Sequence, residues 1–500
     1  MVDIVAGFLA QADAHPADAS VEHLGTQITY RELAALSRRV ANALHSTVGQ
    51  QPKVFLATAP SAYAYAGMIG TLMIGGTFCP NDTIGPSGRN AEILHAFKPD
   101  VLLYNDTLSQ DLISASESIP TINLGALPGD ALQSGILDSK NNEAAYVVFT
   151  SGSTGRPKGV GIARRAFSHF VDVAQQYFRT QPGERWGQYS NLGYDIAIMD
   201  VFMALCHGAT LVTFAAPIDR LFPARAIRKY GINIWQSVPS VIDLMLVSDT
   251  LDKNLQSLRV MSFCGEPLLS THLDTLFRVH PALVVFNTYG ATETTGFNTL
   301  NCLTVDNYRD SCKKPTVALG NDVPGWTITL VDGPSPQEGQ IVVCGDNLSL
   351  GYWEDDSRTA ASFRELSIDG QRVRAYFTGD WGERVGQHLY FCGRIDRQIK
   401  VKGERIELNE IDFRLRELGF QAAASILKDE AIYTFVETSG PVDEKSIRDR
   451  LADYLPFHAI PKRVLPIEKL PRNQNGKIAF AELQTILAEN RLNGRSGSSV

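Results

Sequence analysis

The densest chemistry in the chain lies in residues 150–159, TSGSTGRPKG, directly after the apolar run YVVF at 146–149. Glycines let backbone N–H groups turn inward, hydroxyls add donors and Lys158 adds positive charge, so the stretch suits a polyphosphate cradle. It is not the GxxxxGK[ST] loop, because Pro157-Lys158-Gly159 closes it instead. A second feature is SNLGYDIAIMD (190–200), which sets the carboxylate of Asp195 ahead of an apolar segment. The plain reading of that aspartate is a helix N-cap. Other residues gain meaning only jointly. Tyr289 alone reads as a core aromatic, Asp380 in TGD as a turn residue, and Lys477 as a solvated cation.

These residues need elements to hold them. ITYRELAALSRRVANAL opens with Thr29 and has Glu32 three residues on, the sign of a capped helix. VFLAT, VLLYN, YVVFT, ATLVTF, INIWQS and LVVFNTYG read as strands buried on both faces, separated by helical stretches. This alternation predicts an α/β body of doubly wound lobes. From about residue 337, GQIVVCG, RVRAYFTGD and GQHLYFCGR predict short antiparallel strands, a small β-barrel-like part. A small α+β domain is expected from Asp396. The expected division is an N-terminal core 1–395, a mobile C-terminal domain 396–490 and a flexible tail 491–500, RLNGRSGSSV. Residues 54–81 carry no charge, but their Pro60, Pro80 and four glycines predict strand, buried helix, Gly75-Gly76 break and strand rather than a membrane span. A net charge of -8 argues against nucleic acid or an anionic membrane as partner. Seven scattered cysteines without a CxxC pair suggest reduced thiols and a cytoplasmic setting.

On its motifs the chain resembles the adenylate-forming superfamily, specifically the amino-acid-activating adenylation enzymes of nonribosomal peptide synthesis. ITYREL, TSGSTGRPKG, NTYGATET (287–294), YFTGD (376–380), GRIDRQIKVKGERIELNEID (393–412) and NQNGKI (473–478) follow in the family's order. Ala291 stands where the family usually has proline, and LMIGGTFCPND matches only loosely; neither removes a chemical group. The resemblance implies ATP and Mg²⁺ as cofactors. It implies that Thr150, Ser151, Gly152, Ser153, Thr154, Gly155 and Lys158 hold the β- and γ-phosphates. Tyr289 would stack on adenine, with Asn287 at its edge and Thr288 and Gly290 beside it. Thr292 would contact the α-phosphate, Glu293 would help hold Mg²⁺, and Asp380 with Arg394 would hold the ribose. Lys477 would be the catalytic lysine and Asp396 the hinge, with Lys402-Gly403 facing the site after the small domain turns.

By the same resemblance, Asp195 binds the α-ammonium of an amino acid, in a pocket lined by Ile196, Met199, Ser237, Ser262, Cys264, Gly265, Thr288, Gly296 and Phe297. YDIAIMD and SFCGEPL (262–268) look most like the D-alanine–carrier protein ligases within this family, which implies a small amino acid. No GGxS carrier site and no HHxxxD motif is seen, so a freestanding enzyme with a separate phosphopantetheinyl carrier protein is expected. Two rivals remain at this point. An acyl-CoA ligase for a small carboxylic acid keeps the fold and changes the acceptor, and Asp195 argues against it. A non-catalytic nucleotide binder would retain the fold without turnover.

Overall fold

The computed structural model describes residues 2–83, 85–105, 107–127, 144–151, 156–247, 251–472 and 478–494. The chain divides into two compact units, one of 1–84, 93–150 and 159–395, the other of 85–92, 151–158 and 396–500.

The first unit is built on two largely parallel sheets. Among the described residues, one has nine strands. Its five neighbouring strands Val260–Phe263, Ile234–Ser237, Arg185–Gln188, Thr210–Thr213 and Ala19–His23 run parallel, together with Val284–Tyr289 beside Val260–Phe263. Antiparallel strands Thr26–Thr29 and Thr299–Leu303 flank them. The second sheet has seven strands in the order Gly351–Tyr352, Lys158–Ala163, Ala144–Thr150, Thr77–Asn81, Lys53–Ala57, Val101–Tyr104 and Thr121–Asn123. Crossover helices cover these sheets, which is why their strands are apolar on both faces. A five-stranded antiparallel sheet of Thr327–Ser335, Glu338–Cys344, Gln371–Val385, Phe363–Ile368 and His388–Arg394 completes the unit.

Local chemistry explains the boundaries. The helix Tyr30–Val48 begins with a capping box: Glu32 N–H donates to Thr29 Oγ1 at 3.2 Å, and Thr29 N–H donates to Glu32 Oε2 at 2.7 Å. The uncharged stretch folds as the strand Lys53–Ala57, the helix Ala62–Met73 and the strand Thr77–Asn81. Ser61 caps that helix and Gly75, at φ +74, ends it. No helix of the described residues is long and apolar enough to cross a membrane.

The second unit has the hairpin Gln398–Val401/Glu404–Glu407 and a three-stranded sheet of Ala423–Lys428, Ala431–Glu437 and Arg463–Ile467. Lys402 and Gly403, at φ +48 and +81, form its two-residue turn, the pairing of positive φ values that matches strand twist. Helices Leu408–Glu417 and Phe480–Gly494 flank the sheet, the latter running to Gly494. Helix thus enters the stretch 491–500 expected to be a flexible tail, because the apolar pattern of 480–487 carries a turn into the polar residues; 495–500 lie outside the described residues.

Candidate active site

Parallel sheets present their functional residues at the carboxyl ends of strands. In the nine-stranded sheet Ser237, Phe263 and Asn287 are paired neighbours at those ends, and Cys264, Thr288 and Tyr289 follow them. The register separates them by face. Ser262 is level with Phe286, so Ser262, Cys264 and Thr288 fall on one face and Ser237 and Asn287 on the other. Ser262 is buried and its hydroxyl has no partner among the described residues. Ser237 Oγ accepts the Trp235 indole N–H at 2.9 Å and donates to the Val238 carbonyl. Alternation along the strands thus sets Ser237 on the face opposite Ser262 and Cys264. Thr288 Oγ1 donates to the Phe263 carbonyl at 3.0 Å. Both N–H groups of the Asn287 amide point at backbone carbonyls, Ala318 at 2.9 Å and Val317 at 3.4 Å. Its donors are therefore used within the fold, and an adenine contact from Asn287 would come through Oδ1.

Tyr289 ends its strand beside a compact polar cluster. Its phenol donates to Asp380 Oδ2 at 2.6 Å, and Arg394 donates to Asp380 Oδ1 and to the Thr378 carbonyl. Asp380 faces Arg394 across the strands Gln371–Val385 and His388–Arg394. Thr378, which sequence reasoning passed over though it stands in YFTGD, accepts the Asp380 N–H at 2.9 Å and donates to the Ile341 carbonyl. Burial, and then the Asp380 charge, hold the Tyr289 phenol well above the usual range, so it stays a donor. The carboxylate is thus held by two donors and its backbone by Thr378, with lone pairs remaining for hydroxyl donors.

The loop after Tyr289 folds back sharply. Asn298 N–H donates to the Tyr289 carbonyl at 2.7 Å, and Thr295 and Gly296 adopt φ +61 and +88. A Cβ on Gly290 would lie 1.9 Å from the Gly296 carbonyl oxygen, so only glycine permits this approach. Thr292 and Glu293 sit on the turn Thr292–Thr294, Thr292 half-buried and Glu293 fully buried. Tyr352 donates its phenol to Glu293 Oε1 at 2.9 Å. No sequence signal near either residue pairs them across 59 positions.

Asp195 opens the helix Asp195–Leu205, half-buried, with its Oδ1 accepting the Ile196 N–H at 2.8 Å. The cap position is Tyr194, so Asp195 belongs to the first turn rather than the N-cap. Burial and the Asp195 charge both raise the Tyr146 phenol, whose buried oxygen lacks a partner among the described residues. Met199 follows one turn later on the same helix face. A Cβ on Gly296 would meet Phe170 Cε2 at 2.6 Å and Met199 Cε at 2.9 Å, and Phe297 meets Phe170 edge-on at 4.8 Å. Met199, Gly296 and Phe297 are therefore brought together, with Phe170 packed among them. Ile196 is half-buried beside them on the helix, and Gly265 takes φ +85 after Cys264.

Thr150 ends the strand Ala144–Thr150, buried, with its hydroxyl lacking a partner among the described residues. In the second unit, Ser151 donates its hydroxyl to the Arg405 carbonyl, and Lys158 is buried where the strand Lys158–Ala163 starts. The Ser151 hydroxyl, expected on a phosphate, is here occupied by backbone. Asp396 is exposed and accepts the Gln398 N–H at 3.1 Å, a local turn contact. Arg472 and Ile478 pair as an isolated bridge. Gly152, Ser153, Thr154, Gly155 and Lys477 lie outside the described residues.

No group of three or more His, Cys, Asp or Glu side chains among the described residues forms a metal cage. Glu293 carries a buried carboxylate, a hard oxygen donor of the kind Mg²⁺ takes; alone it would fit a cation that brings its other ligands with it rather than one held by protein only.

Residues 8–353 match the family described as AMP-binding enzyme. The chain therefore belongs to the AMP-binding enzyme family, within the adenylate-forming superfamily, as an ATP-dependent, AMP-forming ligase. It is 30% identical to the D-alanine--D-alanyl carrier protein ligase of Staphylococcus aureus (strain Newman), over 97% of this chain and 100% of that protein. Among solved structures it is similar to holo-PA1221, a nonribosomal peptide synthetase protein containing adenylation and PCP domains, bound to a vinylsulfonamide inhibitor. The TM-score is 0.82 at 25% identity, covering 96% of this chain and 84% of that one. The Vibrio cholerae adenylation domain AlmE, in complex with glycyl-adenosine-5'-phosphate, shares the fold with a TM-score of 0.82 at 24% identity, over 97% and 98% of the two chains.

Proposed function

We propose that the protein activates a small amino acid with ATP and passes it to the phosphopantetheine thiol of a separate carrier protein in the cytoplasm. A carboxylate oxygen attacks the α-phosphorus, the bond to the bridging oxygen breaks, and pyrophosphate leaves. The thiolate then attacks the acyl carbon of the aminoacyl-AMP, forming a thioester and releasing AMP. Two anions must meet in the first step, so cationic and hydrogen-bonding groups at the phosphates dominate the barrier. In this reading Thr150, Ser151, Lys158 and the loop between them hold the phosphates, and Lys477 neutralises charge where carboxylate and phosphate meet. Glu293 would help hold Mg²⁺, which would offset phosphate charge. Asp380, held by Tyr289, Arg394 and Thr378, takes the ribose hydroxyls.

The observation that carries the reading is the near-full-length likeness to a D-alanine--D-alanyl carrier protein ligase. Two features support the substrate class. Asp195 supplies a half-buried carboxylate suited to an α-ammonium. Phe170 and Met199 pack so tightly on Gly296 that not even a methyl group fits there, which disfavours a bulky substrate side chain at this point. Seven free cysteines accord with a reducing compartment.

Pyrophosphate exchange with the alanine enantiomers, glycine, serine and proline tests it. Exchange is expected with one or more of the smallest substrates and is expected to fall at least tenfold in Asp195→Asn, about the worth of one charged hydrogen bond, with ATP binding unchanged. Exchange with aryl or fatty acids alone, or acyl transfer to coenzyme A in place of a carrier protein, would replace this reading with the acyl-CoA ligase.

A further inference from the structure

Glu293 is a carboxylate with 0% exposure on a single 3₁₀ turn, a placement that demands hydrogen bonds from the surrounding fold. Tyr352 provides one, its phenol 2.9 Å from Glu293 Oε1. The same segment also binds the Glu293 backbone, since Ser349 N–H donates to the Glu293 carbonyl at 3.0 Å. On its other side it is stitched to the strand that leaves the phosphate loop. Tyr352 pairs with Val160 and Gly351 with Gly161. Leu350 N–H donates to the Gly161 carbonyl and Trp353 N–H to the Gly159 carbonyl, both at 2.8 Å. Residues 349–353 thus form a short tie between the turn carrying Glu293 and the strand continuing from Lys158.

The tyrosine itself is held firmly. Its N–H donates to Thr359 Oγ1 at 2.9 Å, and its ring meets Phe363 edge-on at 6.1 Å. Gly351 sits at φ +121, where a Cβ would come within 2.4 Å of Thr359 Cγ2. A phenol is also the right kind of donor here. It fixes a carboxylate oxygen without neutralising its charge, which an arginine or lysine would do.

We propose that Tyr352 is the positioning residue of Glu293, fixing its carboxylate relative to the strand continuing from Lys158 so that it meets a divalent cation carried by ATP. The inference rests on the reading of Glu293 as a metal ligand. Hydrogen-bond partners of ligating groups typically contribute about 10–100-fold to metal affinity.

The test uses the full chain with a non-hydrolysable ATP analogue and Mn²⁺ as a paramagnetic probe, titrated by electron paramagnetic resonance. Tyr352→Phe keeps the ring and its packing. It is expected to weaken Mn²⁺ binding in the nucleotide complex by roughly tenfold, with metal-free nucleotide affinity and melting temperature unchanged. Glu293→Gln should weaken it at least as much, and the double variant no more than Glu293→Gln alone, because one interaction is being removed twice. Unchanged Mn²⁺ affinity in Tyr352→Phe, with a loss in Glu293→Gln, overturns the positioning role alone. Unchanged affinity in Glu293→Gln overturns the metal assignment and the inference together. Additive losses in the double variant overturn the coupling between the two side chains.

Discussion

At the residue scale, chemistry and burial pull against each other, and the fold settles each case differently. Asp380 stays useful because two donors hold its carboxylate, the Tyr289 phenol and the Arg394 guanidinium, while its own N–H donates to Thr378. Asp200 shows the opposite outcome. It is fully buried five residues after Asp195, with the Trp186 indole on Oδ1 at 2.9 Å and no partner for Oδ2 among the described residues. Burial raises its carboxyl well above the ordinary value of 3.8. The folded chain therefore keeps a proton that the unfolded chain releases, so unfolding sheds a proton once the pH passes about 4. Stability falls as pH rises from there until the folded acid itself ionises, by at most about 1.4 kcal/mol per pH unit for one group. Asp200→Asn keeps the indole acceptor and has no proton to lose. Melting curves from pH 5 to 8 should slope less steeply for this variant than for the parent; parallel curves would mean that Asp200 is ionised in the fold.

At the element scale, the decisive feature is the return loop between the strands Val284–Tyr289 and Thr299–Leu303. It brings Thr292, Glu293, Gly296 and Phe297 around within eight residues, and it closes only because Gly290 and Gly296 touch backbone to backbone. Gly290→Ala places a methyl group against the Gly296 carbonyl and 2.7 Å from Phe297 Cα, both backbone atoms without side-chain freedom. The expected cost is about 1–3 kcal/mol, seen as a lower melting temperature together with weaker ATP binding, since the loop must open. An alanine variant that melts and binds ATP like the parent would contradict the loop geometry. By contrast, the family's usual proline position is filled by Ala291, which donates its N–H to Thr294 Oγ1 at 3.0 Å. A proline has no such donor, so the substitution is matched by a local hydrogen bond.

At the scale of the whole molecule, the second unit is assembled from pieces distant in sequence. Residues 85–92 belong to it, and their half-buried charges pair with buried ones on its helix Leu408–Glu417. Arg89 reaches Glu410 at 2.8 Å, while Arg414 meets Glu92 at 2.7 Å and lies 4.7 Å over the Tyr454 ring. The Arg414 side chain is only 3% exposed, so its partners depend on it. Removing one member of a buried pair commonly costs about 3–5 kcal/mol, because the other charge is left desolvated. Arg414→Ala should therefore lower the melting of this unit by that amount in scanning calorimetry of the full chain. A loss under 1 kcal/mol would show that solvent, not the pair, stabilises these charges.

The sequence by itself determined the elements and the chemical inventory. Alternating apolar strands and capped helices announce a layered α/β body, because two-sided burial and capping are local properties written in consecutive residues. The expectations for the phosphate loop, Asp195, Tyr289, Glu293, Asp380 and Lys402-Gly403 rest on short, continuous motifs, the kind of signal consecutive residues can carry. Tertiary structure alone decided which side chains face one another. Strand register put Ser237 on the opposite face from Ser262 and Cys264, though their motif positions give no hint of it. It joined Tyr352 to Glu293, Phe170 to Gly296 and Arg89 to Glu410. Such pairings depend on how sheets, loops and helices stack across tens to hundreds of residues, and a contact between two side chains leaves no periodic trace in either stretch of sequence.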